Sequence, residues 1–99
     1  MIHIERAMTR SEVAAMLLGI VSGPNERERR IREFQEYVLN TEAPPPGFDD
    51  REWEVMADLA YDLDFYEEDP ERRREDTSFY GEERLVREIH ESMAKLNNT

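Results

Sequence analysis

DDREWEVMADLAYDL, residues 49–63, is the stretch whose reading decides the fold. Trp53, Met56, Leu59, Ala60 and Leu63 recur at i, i+3, i+6, i+7 and i+10, which is one side of a 3.6-residue helix. Asp49 or Asp50 supplies the carboxylate that caps it. If Leu59 and Leu63 turn inward, Asp58 and Asp62 share the outer face at i, i+4. Upstream, TEAPPPGF (41–48) is a loop, because three successive prolines donate no backbone hydrogen bonds. Downstream, Pro70 forbids helix through it and biases Asp69 away from helical geometry. The link from Phe65 to Gly81 is expected to be irregular, with residues 65–68 free to prolong the helix or leave it.

The same period recurs on both sides. Thr9-Arg10-Ser11-Glu12 fits a capping box with Thr9 as the cap, although Ser11 could cap instead. Val13, Met16, Leu17, Ile20 and Val21 follow at helical spacing until Gly23-Pro24 stops them. Asn25 is placed to cap a second helix, in which Ile31, Phe34, Tyr37 and Val38 form one stripe ending near Asn40. Its other face, rich in Arg and Glu, reads as solvated. In a last helix Leu85, Ile89, Met93 and Leu96 share a face, and Asn97-Asn98 ends it. Apart from a weak Ile2/Ile4 pair, nothing alternates as a strand would. The expectation is an all-α four-helix bundle, one domain over residues 1–99, with a long irregular acidic-aromatic connector before the last helix. No internal repeat is visible.

The charge is distributed unevenly. Residues 1–40 and 72–99 each carry six basic and six acidic side chains, whereas residues 41–71 carry twelve acids against Arg51 alone. The whole net charge of −11 therefore lies in one third of the chain. Nucleic acid and anionic membranes are poor partners for such a surface, and a basic protein is favoured. With no cysteine there is no disulfide framework, no thiolate chemistry and no zinc–thiolate site. MIHIERAMTR lacks the apolar core of a signal peptide, and the longest apolar run, Val13 to Val21, is too short to span a bilayer. A cytoplasmic monomer is expected.

Chemistry that needs a motif finds none. Asp62, Asp64, Glu67, Glu68 and Asp69 offer hard oxygen ligands. Counting from Asp62, however, a calcium loop would need glycine at its sixth position, where Glu67 stands. Carboxylates are plentiful for acid–base work, yet no other polar group converges on them, and His3 and His90 are the only imidazoles. His90 beside Ile89 reads as a boundary or surface residue. There is no nucleophile elbow, phosphate loop, zincin helix or dinucleotide fingerprint. The expectation is a protein that is not an enzyme, with no cofactor, no bound metal and no catalytic residues.

What remains is DLAYDLDFYEEDPE (58–71), with seven carboxylates, no basic residue and several large apolar groups. Tyr61, Phe65, Tyr66, Phe79 and Tyr80 could pin the connector to the bundle, and a tyrosine can bury its ring and still present its hydroxyl. RRR at 72–74 reads as neutralising or ending the acidic patch. Like charges at i, i+4 cost about 0.2–0.5 kcal/mol a pair, so the clustering opposes folding slightly. A cationic partner would turn it into an advantage by steering association. Asp58, Tyr61, Asp62, Asp64, Tyr66, Glu67, Glu68 and Asp69 are therefore the candidate partner-binding residues. Acidic modules that dock a non-toxin basic protein, or bind divalent cations, are the alternatives.

LAYDLDFYEEDPERRRED (59–76) followed by SFYGEERLVREI (78–89) resembles small bacterial immunity proteins of the colicin type, including those paired with contact-dependent inhibition toxins. The resemblance covers about a third of the chain and is one of texture. It implies a small, acidic, helical inhibitor that covers the basic active-site cleft of a cognate nuclease toxin. On that resemblance Asp62, Asp64, Glu67, Glu68 and Asp69 would occupy the cleft and mimic substrate phosphates.

Overall fold

The computed structural model describes residues 8–97. Among them stand α1 (Arg10–Ser22), α2 (Arg27–Leu39), α3 (Asp50–Asp62) and α4 (Glu82–Asn97), with short 3-10 turns at Leu63–Phe65 and Arg72–Glu75. Helix α1 packs on α2, α2 on α3, α3 on α4 and α4 on α1, so the four close a ring around one core. There is no strand among the described residues, only a single parallel bridge between Tyr66 and Tyr80. The fold is the all-α bundle that the spacing predicts. The Ile2/Ile4 pair and His3 lie outside the described residues, as does Asn98.

Each stripe buries as its spacing requires. Val13, Leu17 and Ile20 of α1, Ile31, Phe34 and Val38 of α2, and Trp53, Met56, Leu59 and Ala60 of α3 are buried, with Leu63 just beyond. Leu85, Ile89 and Leu96 of α4 complete the core, while Met16, Val21, Tyr37 and Met93 lie partly buried against it. Removing these side chains from water is the main favourable term holding the bundle. The helix starts are local chemistry. Thr9 and Asp49 each accept from the backbone N–H three residues on, while Glu12 and Glu52 reach back to the cap N–H, making two capping boxes. In the proline loop Gly47 sits at φ 94°, where only glycine is unstrained, and this turn delivers Phe48 edge-on to Trp53 at 5.1 Å.

Arg10 ties that corner together. Its guanidinium donates to Gly47 O (2.8 Å), to Glu52 Oε2 (2.6 Å) and to Leu96 O near the end of α4. Glu52 is consequently a buried carboxylate with its partners supplied. The Arg10 hydrogen bond, and then the Asp49 backbone N–H, hold its carboxyl below the usual range.

One expectation for α2 needs correction. Asn25 does not cap it: the cap residue is Glu26, in the left-handed region at φ 62°, with no side-chain cap bond. The turn from Pro24, in which Arg27 N donates to Pro24 O at 3.4 Å, leaves Asn25 within the turn. The Arg/Glu face is solvated, with Glu28, Arg29, Arg32, Glu33 and Glu36 exposed, but Arg27 does not belong to it and is only 3 % exposed. It stands four residues before Ile31 and seven before Phe34, on the apolar face. It is tolerated there because α1 ends without a basic residue in its last turn. Arg27 Nε donates to Ile20 O (2.8 Å) and Nη2 to Val21 O (2.9 Å), while Arg30 donates to Gly19 O (2.8 Å). Two arginines of α2 thus finish the C-terminus of α1.

Candidate functional site

The acidic stretch leaves α3 through the 3-10 turn at 63–65, then turns extended at Tyr66. There the Tyr66–Tyr80 bridge fastens it. Tyr80 N donates to Phe65 O (3.0 Å) and Glu67 N to Tyr80 O (2.9 Å). Tyr80 is buried, and its hydroxyl lies 2.9 Å from both the Asp62 carbonyl and Asp62 Oδ2. Burial, and then the hydrogen bond to Asp62, push this phenol above its ordinary range, so it stays a proton donor. Arg84 covers the same ring at 4.8 Å and approaches Asp62 and Glu88.

A second anchor lies under Tyr66. Arg27 Nη1 donates to Glu82 Oε2 (2.9 Å) and to the Tyr66 hydroxyl (3.4 Å), and its guanidinium sits 5.9 Å from the Tyr66 ring centroid. Burial pushes this guanidinium down, but the hydrogen bonds to Glu82 and Tyr66 outweigh it and hold it above the ordinary arginine value. Further along, Glu67 pairs with Arg72 at 3.7 Å, and Asp69 Oδ1 accepts from Glu71 N across Pro70. Asp76 does the same for Ser78 N. These are Asx turns, in which a carboxylate organises backbone rather than meeting a ligand. The arginine run has divided duties. Arg72 neutralises Glu67, whereas the Arg73 guanidinium lies so close to Gly81 that a β-carbon there would collide with it.

The predicted site residues therefore fall into different surroundings. Asp62, Tyr66 and Glu67 are part-buried and engaged within the chain. Asp69 is exposed but shapes a turn. Asp58, Asp64 and Glu68 are exposed, with no ion pair or hydrogen bond to their side chains among the described residues. Tyr61 is 73 % exposed, its ring held edge-on by Phe65 at 5.7 Å. The structure does not gather these residues into one pocket. Asp58 and Asp62 line a cleft between α3 and α4 beside Glu88, Ser92 and Lys95. Tyr61 and Asp64 line a groove on the other side, against Arg32, Gln35, Glu36 and Leu39 of α2. The α2 members escape a reading of the sequence by stripes, because Leu39 lies off the buried face. The signal available was that one large aliphatic residue stands beyond the stripe, at helical spacing from Arg32, Gln35 and Glu36.

Among the described residues no three His, Cys, Asp or Glu side chains converge as a metal site requires. His90 is exposed on α4. No described helix is long and apolar enough to cross a membrane. Compared with family models, curated proteins and solved structures, the chain matches none of them.

Proposed function

We propose that this protein binds a basic protein partner and, following the resemblance of residues 59–89, that the partner is a nuclease toxin which it neutralises as an immunity protein. The observation that carries the reading is the division of labour among the acids of residues 58–71. Asp62, Glu67 and Asp69 have duties inside the chain, whereas the side chains of Asp58, Asp64, Glu68 and Glu71 have none and stand exposed, as Tyr61 does. Uncompensated carboxylates that do nothing for the fold are a cost unless something cationic meets them. An exposed tyrosine braced by a phenylalanine is a low-entropy anchor of the kind that dominates binding energies. Charge then sets the encounter rate and the aromatic sets the residence time.

Rescue tests the reading. Co-expression should protect cells from a basic toxin encoded immediately upstream, and the purified pair should associate faster at low salt. Neutralising Asp58, Asp64 and Glu68 together should slow association and flatten its salt dependence. A wild-type chain that leaves the nuclease fully active would sink the toxin assignment. An on-rate insensitive to salt would sink the docking surface as well.

A further inference from the structure

We infer that the groove between α2 and α3 is an anchor subsite for one large apolar side chain of a basic protein segment. This deepens the reading just proposed and rests on it. Among the described residues three large hydrophobic side chains are left exposed, namely Leu18, Leu39 and Tyr61, and two of them face this one groove. Leu39 is 75 % exposed and Tyr61 is 73 % exposed, so the walls are paid for by nothing in the folded chain. The groove holds about 300 Å³, room for one or two large side chains. Its floor is Ala60, whose carbonyl belongs to the last turn of α3 and would lack a helical partner. Gln35 Nε2 donates to that carbonyl at 2.9 Å, so an apolar guest would not leave it unmet.

The rim selects the guest. Glu36 from α2 and Asp64 beyond α3 have no ion-pair or hydrogen-bond partner for their side chains among the described residues, and Arg32 is the one cation of the lining. The groove borders the third of the chain that holds the entire net charge of −11. A second copy of this chain would bring the same charge against it and be repelled. A segment that presents a leucine or aromatic residue flanked by lysine or arginine fits both walls and rim.

Three synthetic helical peptides test this by NMR titration of the full-length chain: one of Lys and Leu, one of Lys and Ser, one of Glu and Leu. The Lys/Leu peptide should bind saturably and shift the backbone signals of Gln35, Leu39 and Tyr61. Leu39→Ser with Tyr61→Ser should weaken it about tenfold or more, while Leu18→Ser leaves it unchanged. Equal binding of the Lys/Ser peptide, or normal binding by the double variant, would overturn the subsite while leaving a cation-binding surface intact. Binding of the Glu/Leu peptide as tight as the Lys/Leu peptide would overturn the choice of a basic guest. Failure of both lysine peptides would overturn the subsite, while the parent reading stands or falls on the rescue and salt-series measurements.

Discussion

Replacing Arg27 with methionine should cost more stability than any other change of a charged residue in α2. The substitution keeps an unbranched chain of similar reach and removes every donor. Ile20 O and Val21 O then lose the bonds of 2.8 and 2.9 Å that complete α1, in a place where α1 has no basic residue of its own. A buried acceptor left without a donor costs about 1–3 kcal/mol. Two of them give roughly 2–6 kcal/mol, from which the relief of guanidinium desolvation must be subtracted. The ion pair to Glu82 adds little, because the Glu82 side chain is 65 % exposed and water replaces the partner. The expected net loss is about 3 kcal/mol, a large fraction of the roughly 5–15 kcal/mol that holds a domain together. Urea unfolding followed by Trp53 fluorescence reads it directly. With a slope of about 1–1.5 kcal/mol per molar, the midpoint should fall by about 2–3 M. Arg27→Lys keeps the charge but not the fork, so it should lose most of the same stability. Arg29→Met, on the solvated side with its exposed partners Glu26 and Glu33, should stay within about 0.5 kcal/mol of wild type. If Arg27→Met unfolds with the midpoint of Arg29→Met, the arginine is not completing α1 and the account of this junction is wrong.

Two further outcomes follow from the same geometry. Leu63→Ala, which empties a fully buried position, should lower stability by about 2–5 kcal/mol, whereas Asp58→Asn with Asp64→Asn should leave it unchanged or slightly raised; loss of the fold in the double Asn variant would make those acids structural. Because Glu52 is held below the usual carboxylate range, its contribution is fully present above the unfolded value of about 4.3. That contribution is lost as the pH falls through the lower folded value. Urea midpoints measured from about pH 6 down to about pH 3 should therefore drop more steeply for wild type than for Glu52→Gln, and parallel curves would refute the Arg10–Glu52 assignment.

The helices were legible because each is decided by neighbours in the chain. Trp53, Met56, Leu59, Ala60 and Leu63 share a face whatever packs against it, and Thr9 finds Glu12 within one turn. Arg27 was in register with that logic and still hidden. Its position put it on the buried face, but only the open carbonyls of α1 make a buried arginine favourable there, and those belong to another helix. The acidic stretch hid its duties for a related reason. Asp69-Pro70 and Asp76-Thr77-Ser78 carry turn signals that a count of charge overlooks, and Asp62 needs Tyr80, eighteen residues on, to become a hydrogen-bond acceptor of the core.

Removing those carboxylates from the tally sharpens the candidate site rather than weakening it. What is left over among the candidate residues, Asp58, Asp64, Glu68 and Tyr61, makes no ion pair or side-chain hydrogen bond among the described residues. Leu39 joins it from a helix whose sequence advertised only a core stripe and a charged face, since which side of α2 meets α3 is settled by packing and not by period. A residue on an established stripe is explained by the core it enters. A large apolar residue off every stripe, placed across a groove from an exposed tyrosine and beside unpaired acids, is explained by no contact within the fold, and that is the ground on which the proposed partner is placed there.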